Sequence, residues 1–350
     1  MSEFNTRETV AKLAEDDPEL VELLKTEAAQ NPFLQATLEQ AMVMSRQHHV
    51  APPPDTDTEF AITVHLRDGH ESNIRIFKPV SADSKETDSK PLLVLIHGGA
   101  FVLGSNTDIA LFARAAASLY DVTVASLSYR LAPEFKFPTA PNDIWDSLEW
   151  LASPANASSL GVDLSLGFVI GGVSAGANLA AVTAQRWVSE TKNPALTGVW
   201  LSIPYVLEPD AVPAEYKDLW FSREQNAAAL IINSDGIAFA KASYEPDVHS
   251  PALSPFNAEN PHKGLPPVYL QVSGQDPLRD DGLIYEKALR AAGVETKLDV
   301  YPGAPHGHFS IFPSLKSSQK SNLDTIKGLG WLLQQQVSVE DITAALAAQV

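Results

Sequence analysis

From Pro91 onward, short uninterrupted apolar runs alternate with stretches in which apolar positions recur every three or four residues. Runs of four to eight apolar residues suit strands buried on both faces, and the 3.6-residue recurrence suits helices with one apolar side. The pattern predicts strands at Leu92–Ile96, Val122–Ser126, Phe168–Ile170, Val199–Ile203, Val268–Val272 and Thr296–Val300. It predicts helices at about Ile109–Leu119, Asn142–Leu151, Ala175–Val188, Gly282–Ala292 and Asn322–Gln335. Such alternation gives an α/β fold, a mostly parallel sheet with helices on both faces. Upstream, Glu59–Leu66 and Ser72–Lys78 alternate apolar and polar positions around Arg67-Asp68-Gly69-His70, which predicts a hairpin and an antiparallel edge.

Two regions fall outside this rhythm. Thr6 to His48 carries apolar residues at helical spacing, among them Val10, Leu13, Leu20, Phe33, Met42 and Met44, and reads as two or three amphipathic helices. Ala51-Pro52-Pro53-Pro54 then marks a linker, and Ser81–Lys90 is polar enough for a surface loop. Between the strands at Val199 and Val268 lies a stretch rich in Pro, acidic and aromatic residues, with a helical pattern at Arg223–Ile232. An insertion of this length next to strand ends suits a lid. The expected organisation is therefore an N-terminal cap segment (1–50), a catalytic domain (51–204 and 262–350) and a cap insertion (205–261). Ser338-Val339-Glu340-Asp341 predicts a capped C-terminal helix.

Charge and composition narrow the partners. A formal charge of −18 over 350 residues repels nucleic-acid backbones and anionic membranes. The chain has no cysteine, which removes disulfides and thiol nucleophiles. The acidic N-terminal stretch lacks the apolar core of a signal peptide, and no run reaches membrane-span length, so a soluble cytoplasmic protein is expected.

The chemistry begins at Gly172-Val173-Ser174-Ala175-Gly176, a G-x-S-x-G motif placed where a strand becomes a helix. A serine at so sharp a turn is exposed for attack, which marks Ser174 as a candidate nucleophile. It needs a base, and the base needs a carboxylate to fix its tautomer. Asp276, just past the strand at Val268–Val272, and His306, just past that at Thr296–Val300, lie at the same end of a parallel sheet as Ser174. His308 competes with His306, which is favoured because it follows the Pro-Gly turn directly. Asp280 and Asp281 compete with Asp276 but open the next helix, where carboxylates cap and favour the dipole. His97-Gly98-Gly99-Ala100-Phe101 offers unobstructed backbone N–H groups for an oxyanion. Gly98 and Gly99 would be joined there by Ala175, with His97 anchoring the loop. Ser189-Glu190-Thr191-Lys192 forms an S-x-x-K match without its companion motifs, and reads as chance.

Taken in order, His97-Gly98-Gly99-Ala100, Tyr129-Arg130-Leu131-Ala132-Pro133-Glu134, Gly172–Gly176, Asp276-Pro277-Leu278-Arg279-Asp280 and His306-Gly307 resemble the hormone-sensitive-lipase-like carboxylesterases of the α/β-hydrolase superfamily. The resemblance implies an eight-stranded core, a helical cap built from the N-terminus and an insertion after the sixth strand, and a supporting role for Tyr129–Glu134 beneath the active-site loops. The family usually has a third glycine where this chain has Ala100, and often an acidic residue in place of Val173. The Ala100 methyl is expected to crowd bulky alcohol moieties.

The expected activity is serine carboxylesterase chemistry on uncharged short- to medium-chain acyl or aromatic esters, an acetyl ester of a secondary metabolite included, with no metal or organic cofactor required. Phe101, Tyr205, Trp220, Phe221 and Met42 are the candidate substrate contacts. Acyl transfer, and amide, carbamate or lactone hydrolysis, use the same three residues and stay open. A non-catalytic ligand receptor on this fold is disfavoured by the presence of His306. Small esters are the expected partners, nucleic acid and membranes are not, and a homodimer is left open.

Overall fold

The computed structural model describes residues 4–26, 32–47, 51–79 and 89–348. Eight strands make one sheet: β1 (Glu59–His65), β2 (Glu71–Phe77), β3 (Leu92–Ile96), β4 (Thr123–Leu127), β5 (Phe168–Val173), β6 (Gly198–Ser202), β7 (Val268–Gln275) and β8 (Thr296–Pro305). Their order is β1-β2-β4-β3-β5-β6-β7-β8. The β1–β2 hairpin is antiparallel and β2 runs antiparallel to β4, while every later pair is parallel. Each expected strand is present. β5, β7 and β8 extend past their expected carboxyl ends, toward the residues that carry the chemistry.

Side chains alternate across a strand with a period of two, so an all-apolar strand feeds two cores at once. Leu92, Val94 and Ile96 enter one core with Ile170, Leu201 and Leu270. Leu93 and Leu95 enter the other with Val169, Trp200 and Tyr269. The helices Thr139–Ala152, Ala175–Ser189 and Arg279–Ala291 supply Trp145, Leu179 and Ile284 to the first core. Ala110–Tyr120, Lys316–Leu332 and Val339–Ala347 supply Phe112, Ile326 and Ile342 to the second. The last of these helices is capped as expected, with Ser338 Oγ accepting the N–H of Asp341 at 3.1 Å.

The N-terminal segment forms short helices, Arg7–Ala11, Pro18–Leu23 and Leu38–Gln47 among them. The expected surface loop over 81–88 lies outside the described residues. Residues 203–267 connect β6 to β7 and pack beyond the strand ends. Their main helix is Ser234–Tyr244, whereas the stretch expected to be helical, Arg223–Ile232, holds only the single turn Ser222–Gln225 followed by turns. The reason is a cap that the apolar run Ala227–Ile232 masked. Asn233 Oδ1 accepts the N–H of Gly236 at 2.9 Å and starts the helix after the run instead of within it.

Candidate active site

β5 ends against the start of the Ala175–Ser189 helix, and Ser174 is the one residue between them. Its backbone is held at φ 55° and ψ −115°, a region costly for a residue with a side chain, about 1–3 kcal/mol. Close packing enforces the turn. A Cβ on Gly176 would stand 2.2 Å from the Ile96 carbonyl oxygen, and one on Gly172 would stand 2.5 Å from that of Gly176. Both glycines are thus required by space.

The three residues that sequence spacing singled out converge. Ser174 Oγ lies 2.9 Å from His306 Nε2, and His306 Nδ1 lies 2.7 Å from Asp276 Oδ2. The order of contacts sets the tautomer: Nδ1–H donates to the carboxylate, leaving Nε2 free to accept the serine proton. Asp276 is fully buried and its second oxygen accepts the N–H of Leu278 at 2.7 Å. Ser174 and His306 each retain 7% exposure, enough for a reactant to reach them.

His308 does something else. Its ring is buried, with Nδ1 3.2 Å from the Pro305 carbonyl oxygen and 3.2 Å from Ser273 Oγ. Burial pushes its pKa down to about 4. It packs the floor beneath the His306 loop. Asp280 and Asp281 likewise lie away from the imidazole, but they do not cap their own helix either. Asp280 accepts the N–H groups of Phe221 and Ser222 at 2.7 and 2.6 Å. Asp281 accepts those of Val206 and Leu207 at 3.0 Å each, the Trp220 indole N–H at 3.2 Å and the Arg223 guanidinium at 3.1 Å. Both carboxylates tie the 203–267 segment to the Arg279–Ala291 helix. Burial raises the Asp281 carboxyl to about 6 against the opposing pull of Arg223.

The loop after β3 crosses in front of Ser174. Gly98 is so close that a Cβ there would meet Ser174 Cβ at 3.4 Å and the Val173 carbonyl oxygen at 3.0 Å. Gly99, Ala100 and Phe101 all have positive φ (114°, 53° and 63°), which curls the loop. A Cβ on Gly99 would stand 2.0 Å from the Leu103 carbonyl oxygen. Among the described residues no acceptor takes the backbone N–H of Gly98, Gly99 or Ala175. The loop is braced from behind. Tyr129 donates its hydroxyl to the His97 and Gly98 carbonyls at 3.2 Å and stacks on the His97 ring, centroids 4.3 Å apart. His97 Nδ1 donates to the Gly98 carbonyl at 2.7 Å, and burial lowers its pKa. The Ala132 N–H reaches the Phe101 carbonyl at 2.8 Å, and Arg46 binds both the Ala132 carbonyl and Glu134. The S-x-x-K pair does not form a site: Ser189 donates to the Arg186 carbonyl and Lys192 pairs with Glu149.

A pocket opens over Ser174 and Ala175, walled by Ala100, Phe101, Tyr205 and Leu278 and closed by Ile232, Ile237, Ala240, Lys241, Tyr244 and Pro246. Of the five expected substrate contacts, Phe101 and Tyr205 line it, and the other three do not. Phe221 sits in a separate small core with Val10, Leu13, Val272 and Leu283, under the Arg7 guanidinium. Trp220 gives its indole N–H to Asp281. Met42 is buried in the main core. Of the other N-terminal residues, Met44 lines a surface groove, and the Phe33 side chain is outside the described set. The missed wall comes from the unanticipated 234–244 helix; the Asn233 cap was the signal that could have found it.

A mostly parallel sheet of this order, with a serine at the strand-to-helix turn and a histidine and an aspartate at neighbouring strand ends, defines an α/β-hydrolase fold. A family model described as alpha/beta hydrolase fold matches residues 93–310, and the chain belongs to that family. An AB hydrolase superfamily protein of Schizosaccharomyces pombe is 35% identical over 95% of this chain and 98% of its own length. A versiconal hemiacetal acetate esterase of Dothistroma septosporum is 33% identical over 70% of this chain and 74% of its own. Among solved structures, vibralactone cyclase superposes with a TM-score of 0.78 at 30% identity, over 92% of this chain and 96% of that one. The protein is a carboxylesterase-like hydrolase. No helix among the described residues is long and apolar enough to cross a membrane.

Proposed function

We propose that this protein is a serine carboxylesterase acting on uncharged esters with short- to medium-length acyl groups or aromatic moieties. The observation that carries the reading is the continuous chain from Ser174 Oγ through His306 to Asp276, opening into a pocket whose wall is mostly apolar. His306 Nε2 takes the serine proton as Oγ attacks the ester carbonyl carbon, and Asp276 stabilises the imidazolium that forms. The N–H groups of Gly98, Gly99 and Ala175 then stabilise the negative oxygen of the tetrahedral intermediate. Collapse expels the alcohol, which takes the proton back from His306. Water, deprotonated by the same imidazole, cleaves the acyl-enzyme and restores the serine. No step calls on a metal or organic cofactor.

The 1–50 and 205–261 segments serve as the cap in this reading, since the latter supplies one wall of the pocket. An acetyl ester is included in this reading, and the likeness to a versiconal hemiacetal acetate esterase supports it.

Hydrolysis of p-nitrophenyl esters from acetyl to long acyl chains, measured on wild type and Ser174→Ala, tests the proposal. Turnover is expected to be greatest for the shorter esters and to fall by about 10⁴-fold or more in the variant. Turnover that survives the substitution would rule Ser174 out as nucleophile.

A further inference from the structure

The pocket's far wall is one stripe of the Ser234–Tyr244 helix. Ile237, Ala240, Lys241 and Tyr244 all line it, at the i, i+3, i+4, i+7 spacing that puts residues on one helical face. The first two are apolar. The last two carry polar groups, and the Lys241 side chain keeps 39% exposure while lining the pocket.

The Lys241 ammonium is anchored but not used up. It pairs with Glu208, whose side chain is 6% exposed and whose other oxygen accepts the Tyr205 hydroxyl. An ammonium has three N–H donors, so donors remain beyond the bond to Glu208. Tyr244 is 2% exposed, and its ring is fixed by stacking on Phe101 at 4.2 Å and edge contact with Phe137. Its hydroxyl has no hydrogen-bond partner among the described residues. The phenol and the ammonium, one helical turn apart, sit on residues that line the cavity, so its otherwise mostly apolar wall has donors beside it that the protein does not use up.

We propose that Lys241 and Tyr244 form a hydrogen-bonding pole in the pocket and select esters that carry a neutral oxygen, a hydroxyl or a carbonyl, away from the scissile bond. This rests on the esterase reading above and names its substrate class more closely. A neutral oxygen is preferred to a carboxylate because Glu208 already balances the Lys241 charge, and because a protein of formal charge −18 repels anions. Sites that hydrogen-bond a substrate oxygen discriminate well against analogues without it, since the site's own polar groups are then left unpaired.

The test compares 3- and 4-(hydroxymethyl)phenyl acetate with the matching ethylphenyl acetates, which have nearly the same shape but no oxygen. In the wild type kcat/KM is expected to favour the hydroxymethyl ester by about tenfold or more for at least one isomer. In Lys241→Met and in Tyr244→Phe the ratio is expected to fall toward one. Because the ratio is read within each variant, a reduced folded fraction cancels. A wild-type ratio near one for both isomers, a ratio that persists in both variants, or a clear preference for 4-carboxyphenyl acetate would overturn the proposal. Ser174-dependent hydrolysis of p-nitrophenyl acetate, run alongside, separates that result from failure of the esterase reading, in which no ester is turned over.

Discussion

Two neighbouring histidines divide their work by what each ring touches. His306 meets the proposed nucleophile and its carboxylate, whereas His308 holds Ser273 and the Pro305 carbonyl in the floor. His306→Ala is therefore expected to reduce kcat about as far as Ser174→Ala with little change in melting temperature. His308→Ala is expected to lower the melting temperature and to retain substantial kcat per folded molecule, as steady-state rates and calorimetry on the two variants would show. Equal loss of kcat at both would undo the assignment. Ala100 offers a second contrast. It lines the pocket at φ 53°, so Ala100→Gly both opens space and removes a left-handed strain of about 1–2 kcal/mol. Esters of tertiary alcohols should gain in kcat/KM relative to ethyl esters in that variant.

Among elements, the segment between β6 and β7 is fixed by buried charge. Asp281 gathers two backbone N–H groups, an indole and a guanidinium from it, so Asp281→Ala leaves Arg223 and three other donors without their acceptor. Loss of one partner in such a buried pair costs about 3–5 kcal/mol, to be read from chemical denaturation. This part of the molecule was also the least legible in the sequence. The sheet could be read because each central strand is apolar throughout and each helix has a clear period. Ser174, Asp276 and His306 could be read because they fall just past strand ends. Aromatic residues in an irregular segment carry no such coordinate. Trp220 and Phe221 go to a carboxylate and a core, while Tyr244 goes to the pocket, and no spacing in the segment tells them apart. Asp280 and Asp281 misled for a related reason: a carboxylate in the first turn of a helix looks like a cap whether or not another segment brings donors to it.

At the scale of the whole molecule, burial leaves a signature in acid. His97, His262 and His308 are buried and each has a lowered pKa, the latter two at about 4. In the unfolded chain an imidazole titrates near about 6.5. Between those values the unfolded state binds protons that the folded state refuses, so stability rises with pH. Their contribution is complete above pH 6.5 and is lost as pH falls toward 4. Melting temperature is thus expected to climb from pH 5 to 6.5, and to climb less steeply in His262→Asn, where the replacement tolerates the local φ of 69°. A slope unchanged by that substitution would place the acid sensitivity elsewhere.

The side chain of Asn226, from the 203–267 segment, donates to the carbonyls of Gly274 and Asp276 at 3.2 and 2.9 Å. The same stretch of chain that shapes the substrate wall thereby also grips the loop of the proposed catalytic carboxylate. For anyone wishing to retune this protein, the segment is not an interchangeable cassette. Grafting one from a relative would alter turnover along with selectivity, and the exchange would have to carry its own grip on residues 274–277 to keep the rate.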